Sequence, residues 1–178
     1  MFEIIQKMDD MILFFVTRHL HTPFMDRLMV FFTTLGNSSL IWIALSVILL
    51  LRKKDRKWGI LLAVGLIAEF LLCDEFLKPL VARERPFVRL PGFPNLIKAP
   101  HSYSFPSGHT MSSFTAATIL YYREKSSGIA FFAIAALIGF SRIYLFVHYP
   151  SDVFGGVLLG FLLAFILITT ARHYHIIA

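Results

Sequence analysis

Four long runs of apolar residues, almost free of charge, constrain this chain more than any other feature. They read SLIWIALSVILLL, WGILLAVGLIAEFLL, SGIAFFAIAALIGF and VFGGVLLGFLLAFILITT. A helix that crosses the hydrocarbon core of a bilayer needs about 20 apolar residues, with a range of about 17–25. The runs meet or approach that length once their flanks are counted. In a chain that is 57% hydrophobic, they predict an integral membrane protein.

The distribution of charge orients the chain and excludes one class of partner. The formal net charge of +6 does not indicate nucleic-acid binding, because the basic residues lie at membrane edges rather than in one stripe. Cytoplasmic loops are rich in Lys and Arg, so the five basic residues of 51–57 place that loop inside. Residues 82–105 then lie outside. Alternation predicts spans at about 37–51, 57–81, 107–123, 127–147 and 151–171.

The first 36 residues are less regular than the rest. FEIIQKMDDMILFFVTRHL has apolar positions at helical spacing, interrupted by acids and bases, and Pro23 begins a second amphipathic piece. We interpret both as interfacial helices lying on the membrane, with a sixth, irregular span as the alternative. The predicted fold is an all-α, polytopic membrane bundle of about five to six transmembrane helices. It forms one domain over 1–178, with 37–178 as the core bundle.

Three polar clusters fall at one extracytoplasmic level in this topology. They are KPLVARERP at 78–86, PSGH at 106–109 and SRIYLFVHYPSD at 141–152. Lys78, Arg85 and Arg142 together form a clamp for an oxyanion, since guanidinium forks suit phosphate oxygens and lysine adds a compact charge. Positive charge outside the cytoplasm opposes the usual bias. It therefore predicts an anionic ligand at this level.

The second cluster begins a helix. Free backbone N–H groups and the positive end of the helix dipole would face the same anion. Gly108 allows close approach of the backbone, and the Ser107 hydroxyl can donate one more hydrogen bond. The stretch is therefore predicted to be an anion cradle.

Two histidines supply the chemistry. Pro150 suits the first position of a helix, which puts Asp152 in the first turn, where the dipole favours an ionised carboxylate. From there the Asp152 carboxylate can accept a hydrogen bond from the proton-bearing ring nitrogen of His148. The other ring nitrogen is then free to attack. His109, beside bound phosphate, can protonate a leaving oxygen. Together these groups predict phosphoryl transfer through a phosphohistidine, with no metal or cofactor, because the clamp supplies the positive charge.

The pattern K-x6-R-P, then P-S-G-H, then S-R-x5-H-x3-D resembles the three-part signature of the type 2 phosphatidic acid phosphatase (PAP2) family. All its members occur here: Lys78, Arg85, Pro86, Pro106, Ser107, Gly108, His109, Ser141, Arg142, His148 and Asp152. The resemblance implies that His148 is the nucleophile, Asp152 its partner and His109 the general acid. It also implies that phosphate is bound by Lys78, Arg85, Ser107, Gly108 and Arg142.

The expected activity is metal-independent hydrolysis of a lipid phosphate or diphosphate at the outer face of a bacterial cytoplasmic membrane. The resemblance implies phosphatidylglycerophosphate, undecaprenyl diphosphate, phosphatidic acid or the 1-phosphate of lipid A as substrate. Residues 82–105, which we call the outer loop, are basic, and a loop of this kind suits a bulky anionic headgroup. It therefore favours lipid A or a diphosphate as substrate. Transfer of phosphate to a second lipid is one alternative. A non-catalytic lipid binder or transporter is another, although it would not need an oriented His148–Asp152 pair. No obligate protein partner is implied.

Residues outside the signature carry weaker expectations. Asp74 and Lys78 stand four apart and are expected to pair on one helix face. Ser141 either reaches the phosphate or bonds a backbone carbonyl. Five side chains of the outer loop are candidates for headgroup contact: Arg83, Arg89, Lys98, His101 and Tyr103.

Overall fold

The apolar runs form helices, since a backbone in lipid must satisfy its own hydrogen bonds. The computed structural model describes residues 2–93 and 96–177, which contain helices and loops and no strand. The predicted all-α class is therefore confirmed. The helices are α1 (Phe2–His19), α2 (Pro23–Gly36), α3 (Leu40–Leu51), α4 (Arg56–Phe70), α5 (Lys78–Val81), α6 (Pro86–Arg89), α7 (Gly108–Arg123), α8 (Lys125–Tyr144) and α9 (Pro150–His173). A π-helical segment, Leu71–Leu77, joins α4 to α5.

Three stretches of the described residues are long and apolar enough to cross a membrane. They are Pro23–Leu51, Lys125–Tyr144 and Pro150–His173. The first contains both α2 and α3, joined by a 3-10 turn in which Ser38 and Ser39 have left-handed backbone, with φ of 47° and 56°. This stretch therefore includes α2 as well as the residues of the first predicted span.

Helix α7 lies at the centre of the bundle, between α4, α8 and α9. Two glycines bring α9 against it: a Cβ on Gly160 would lie 2.7 Å from the carbonyl oxygen of Met111, and one on Gly156 would lie 2.8 Å from that of Ser107. Small residues at helix contacts let two backbones approach closely. The start of α9 is thereby held beside the start of α7.

The two ends of the bundle differ in chemistry. At one end, Nε of Arg123 lies 3.0 Å from Oδ1 of Asp55, so the basic loop 51–57 and the end of α7 share a side, as alternation predicts. At the other end, the backbone N–H of Ser107 donates to the carbonyl of Asp152 at 3.1 Å. The backbone N–H of Ser104 donates there to the carbonyl of Arg83 at 2.8 Å. The three polar clusters therefore meet.

Candidate active site

Six of the eight predicted site residues line one cavity of about 1100 Å³, and among the described residues Ser107 and Asp152 lie behind its wall. The six are Lys78, Arg85, Gly108, His109, Arg142 and His148. They come from the end of the α4–α5 segment, the outer loop, the start of α7, the end of α8 and the α8–α9 turn. Distant parts of the chain thus build one basic site.

His148 occupies the turn between α8 and α9 and is almost completely buried. Its Nε2 lies 3.1 Å from Nη1 of Arg85, and its Nδ1 lies 3.6 Å from Oδ2 of Asp152. The Nδ1 distance exceeds a hydrogen bond, and this atom has no hydrogen-bond partner among the described residues. Burial lowers the pKa of His148 well below its ordinary value, and the nearby cations Arg85 and Arg142 add to that shift. The imidazole is therefore neutral at pH 7 and able to act as a nucleophile.

Asp152 is fully buried and caps its own helix. Its Oδ2 accepts from the backbone N–H of Tyr149 at 2.9 Å and from Oγ of Ser104 at 2.5 Å. Its Oδ1 accepts from Nη1 of Arg83 at 2.5 Å. The prediction that Asp152 lies in the first turn of the last helix is confirmed, and its carboxylate is held by several donors at once.

Arg85 is fixed by the outer loop and by the α8–α9 turn. Its Nε donates to the carbonyl of Ser102 at 2.6 Å, and its Nη1 donates to the carbonyl of Val147 at 2.8 Å. Its Nη2 donates to the carbonyl of Tyr103 at 3.1 Å. Burial lowers the pKa of Arg85 to about 10, so the guanidinium stays charged at neutral pH. It is a preorganised cation beside the imidazole.

The other two cations of the clamp differ in how they are held. Nζ of Lys78 lies 2.5 Å from Oδ1 of Asp74, which confirms the predicted pairing at this helical spacing. Nη1 of Arg142 donates to the hydroxyl of Thr33 on α2, while its buried Nε finds no acceptor within the described ranges. Arg142 as a residue also lines the cavity.

The start of α7 is arranged partly as predicted. His109 lines the cavity, and its Nε2 lies 2.9 Å from Oδ1 of Asn37. A Cβ on Gly108 would lie 3.3 Å from Oδ2 of Asp74 and 3.6 Å from Nζ of Lys78, so glycine leaves room there. The hydroxyl of Ser107, predicted to face phosphate, pairs instead with Oγ1 of Thr110 at 2.9 Å behind the wall.

The charged side chains of the outer loop fall into two groups by what they contact. Lys98 and His101 line the cavity, as expected for headgroup contact. Arg83 instead bonds Asp152, and Arg89 donates to Oη of Tyr149 at 2.9 Å. Sequence reasoning missed the contact between Arg83 and Asp152, because the only signal was one more arginine in a basic stretch.

The hydrogen-bond partners of several hydroxyl groups near the site depend on the tertiary structure. Oγ of Ser141 donates to the carbonyl of Ile138 at 2.6 Å. Of the two alternatives for Ser141, the structure therefore has the bond to a backbone carbonyl. Thr33 and Ser104, which bond Arg142 and Asp152, lie far from them in sequence. No spacing rule connects such pairs.

Comparison with known proteins agrees with this geometry. The family model for the PAP2 superfamily matches residues 56–175. An undecaprenyl-diphosphatase of Sulfolobus acidocaldarius is 36% identical over 143 residues, which cover 80% of this chain and 68% of that protein. A lipid A 4'-phosphatase of Bacteroides thetaiotaomicron is 29% identical over 174 residues, which cover 90% of this chain and 75% of the relative. The crystal structure of a transmembrane PAP2-type phosphatidylglycerolphosphate phosphatase from Bacillus subtilis matches with a TM-score of 0.81 and 30% identity, over 96% of this chain and 87% of that one.

The helical membrane fold and the buried basic site define the class as membrane-embedded lipid phosphatases. The chain belongs to the PAP2 superfamily, as its three-part signature predicts. It is a phosphatase of membrane lipids.

Proposed function

We propose that this protein hydrolyses a lipid phosphate or diphosphate at the extracytoplasmic face through a phosphohistidine on His148. The observation that carries the proposal is the shape of the cavity. It joins the basic site to an apolar groove between α3 and α4. A headgroup phosphate and a hydrocarbon chain can therefore lie in it together.

The groove follows one face of each helix. Glu69 of α4 lines the cavity beside it. On α3 the groove is lined by Ile43, Ser46, Val47 and Leu50, and on α4 by Ala63, Leu66, Ile67 and Phe70. Both sets follow the spacing i, i+3, i+4, i+7, which is one helical stripe. Seven residues correspond to about 10 Å of helix, about a third of a hydrocarbon core about 30 Å thick. A water-soluble phosphate ester would not need this apolar depth, whereas a lipid tail would.

The reaction would proceed in two displacements. Nε2 of His148 attacks phosphorus, the bond from phosphorus to the lipid oxygen breaks, and His109 gives a proton to that oxygen. Water, deprotonated by His109, then attacks phosphorus, the bond from phosphorus to Nε2 of His148 breaks, and inorganic phosphate is released. Arg85, Arg142 and Lys78 stabilise the negative charge of the phosphoryl oxygens in both steps. Asp152, beside Nδ1, stabilises the imidazolium character that develops on the histidine.

The basic loop 51–57 supports the proposed orientation. It lies at the end of the bundle opposite the site, so the rule for basic loops puts the site outside the cytoplasm. We propose that 56–81 and 108–123 also cross the membrane and join the three candidate stretches in a bundle of five crossing segments.

The first helix would lie at the interface. Its outer side carries exposed apolar residues, among them Ile4, Met8, Ile12 and Phe15, and such a side suits the boundary between headgroups and acyl chains. A cytoplasmic membrane with the site on its outer surface, as in a bacterial inner membrane, fits this arrangement.

The test is phosphate release by detergent-purified protein in EDTA. The panel contains phosphatidylglycerophosphate, phosphatidic acid, undecaprenyl diphosphate and lipid A, each assayed also with His148→Ala. We expect release from at least one lipid that persists in EDTA and is lost in the variant. Rapid acid-free quenching with a ³²P-labelled substrate should trap label on the wild type.

Three outcomes would overturn the proposal. Turnover that His148→Ala leaves intact would exclude the phosphohistidine. Label passing to a second lipid rather than to water would make the protein a transferase. A chain that binds the lipids and turns over none of them would be a binding protein.

A further inference from the structure

Arg83 joins three parts of the molecule through one guanidinium. Its Nη1 donates to Oδ1 of Asp152 at 2.5 Å and to Oγ of Ser151 at 2.7 Å. Its Nη2 donates to Oδ2 of Asp9 at 2.7 Å and to Oε1 of Gln6 at 2.9 Å. The guanidinium also lies 3.9 Å from the centre of the Tyr149 ring, which is a cation–π distance. Arg83 therefore connects α1 to the start of α9.

Asp9 completes this connection from the side of α1. It is 3% exposed, although carboxylates are rarely buried unless they are paired. Its Oδ1 accepts from the backbone N–H of Ser151 at 2.8 Å, and its Oδ2 accepts from the Ser151 hydroxyl at 2.5 Å. The first N–H groups of a helix have no partner within the helix. Helix α1 thus caps the helix that carries Asp152.

The contacts determine how the Asp152 carboxylate is turned. Arg83 holds Oδ1, which leaves Oδ2 to face the α8–α9 turn, 3.6 Å from Nδ1 of His148. The Arg83 charge lies between two carboxylates, those of Asp9 and Asp152. It partly neutralises Asp152, and Asp9 limits that neutralisation.

We propose that Arg83 and Asp9 form a positioning pair for phosphoryl transfer, which holds the Asp152 carboxylate toward His148 and sets the charge that the imidazole faces. The pair touches neither the proposed nucleophile nor the cavity in the described part of the chain, and it acts through Asp152. The inference rests on the proposed function of His148 as the nucleophile. The first helix thereby becomes part of the reaction machinery.

Removing either charge of the pair should shift the pH dependence of kcat/KM, and the two shifts should be opposite in sign. The charged and titratable groups near His148 are Lys78, Arg85, His109, Arg142 and Asp152. Loss of the Arg83 charge leaves the Asp152 carboxylate without its neutralising partner, which favours the imidazolium form of His148. Since only the neutral imidazole attacks, the fall of kcat/KM on the acidic side of the pH profile, its acidic limb, should move to higher pH. Loss of the Asp9 charge ties Arg83 more closely to Asp152, so Asp9→Asn should move the limb to lower pH. A merely structural role predicts no such opposite shifts.

The chain offers a matched control in Arg89. Its Nη2 pairs with Asp10, the neighbour of Asp9 on α1, and its guanidinium also lies over the Tyr149 ring. Within the described ranges it has no contact with Asp152. Arg89→Gln should therefore loosen the docking of α1 as Arg83→Gln does and leave the pH profile in place.

The experiment measures kcat, KM and the pH profile of Arg83→Gln, Arg83→Lys, Asp9→Asn and Arg89→Gln, with His148→Ala in parallel. For Arg83→Gln we expect kcat to fall about 10-fold to 100-fold with KM nearly unchanged and the acidic limb raised. Arg83→Lys keeps the charge and loses the fork, so its limb should stay near that of the wild type while kcat recovers in part.

Failure of this inference is distinct from failure of the proposed function. If His148→Ala is inactive and Arg83→Gln matches Arg89→Gln in kcat and pH profile, the positioning pair is wrong and the nucleophile stands. If His148→Ala is active, the proposed function itself fails. Should Arg83→Gln not fold, Asp9→Asn and Arg83→Lys decide: the inference requires a lowered acidic limb in Asp9→Asn and a limb near wild type in Arg83→Lys, and equal limbs in the two variants would overturn it.

Discussion

Two helix pairs beside the cavity are packed in opposite ways; we call α7 with α9 the tight wall, of which α7 lines the cavity, and α3 with α4 the wall of the groove. On one side α7 and α9 touch backbone to backbone through Gly156 and Gly160. On the other side the carbonyl of Gly59 on α4 accepts from Oγ of Ser46 on α3 at 2.9 Å, and side chains of both helices line the groove. The tight wall carries His109 and Asp152, whereas the groove is mainly apolar, with Ser46 and Glu69 as polar residues of α3 and α4 in the lining. Under the proposed function, the reacting groups lie where two helices are in close contact, and the hydrocarbon part of the lipid would lie in the groove.

The largest effect should come from the tight wall. Asp152→Asn would keep the shape of the site and lose the negative charge beside His148, so kcat should fall by about 10³-fold to 10⁴-fold. Asp26→Asn is the matched control, because Asp26 bonds Tyr144 and lies outside the site. Its kcat should stay within about twofold. Steady-state assays on the best lipid of the panel measure both, and equal loss in the two variants would contradict the comparison.

Stability should also depend on the tight wall. Gly160→Ala introduces a Cβ 2.7 Å from the Met111 carbonyl, and overpacking of this kind costs about 1–3 kcal/mol. Thermal unfolding in detergent would measure the loss. Ala63→Val, on the wall of the groove, adds volume where space exists and should leave Tm nearly unchanged. If Ala63→Val destabilises the protein as much as Gly160→Ala, the walls do not differ in rigidity.

The groove should instead control which lipid is accepted. Ala63→Phe would fill the space between α3 and α4, and a blocked apolar site costs a ligand about 1–3 kcal/mol, which raises KM for long-chain substrates about tenfold. A short-chain phosphate ester should be unaffected. Leu158→Phe, at an exposed position on α9, is the control. A uniform rise of KM for short and long chains would show that the groove does not hold the tail.

The smallest effect should come from the ion pair of Asp55 and Arg123, which joins the loop between α3 and α4 to the end of α7 on the side away from the site. The hydrogen bond from Arg123 lowers the pKa of Asp55. A carboxyl with a lowered pKa adds stability above its unfolded pKa of about 3.9, and this stability is lost as pH falls through the folded pKa. The Tm difference between wild type and Asp55→Asn should therefore be constant near neutral pH and vanish in acid. A difference that persists at pH 2 would contradict it.

Much of the fold could be predicted because its signals are local. The length of an apolar run predicts a helix in lipid, since a helix satisfies its backbone hydrogen bonds within the run itself. Pro150 and Asp152 two residues later predict a helix start with a carboxylate at its N-terminus, which the hydrogen bond to Tyr149 N–H confirms. The pairing of Asp74 with Lys78 follows from helical spacing alone.

Interactions between distant residues escaped prediction. The Ser107 hydroxyl was expected at the phosphate, yet its bond to Thr110 depends on how α7 begins and packs. The groove depends on how α3 and α4 pack against each other, which the periodicity of either helix does not determine. Asp9 and Ser151 are 142 positions apart, and neither stretch suggests the other.

The sequence by itself determined that this protein is a helical membrane phosphatase of the PAP2 superfamily, because run length, charge bias and motif spacing are properties of neighbouring residues. Only the tertiary structure decided that Arg83 turns away from the headgroup toward Asp152 and that Asp9 caps the last helix. Contacts of that kind depend on the packing of separate helices. Their energy is realised only when the bundle brings the charges together in a dry interior.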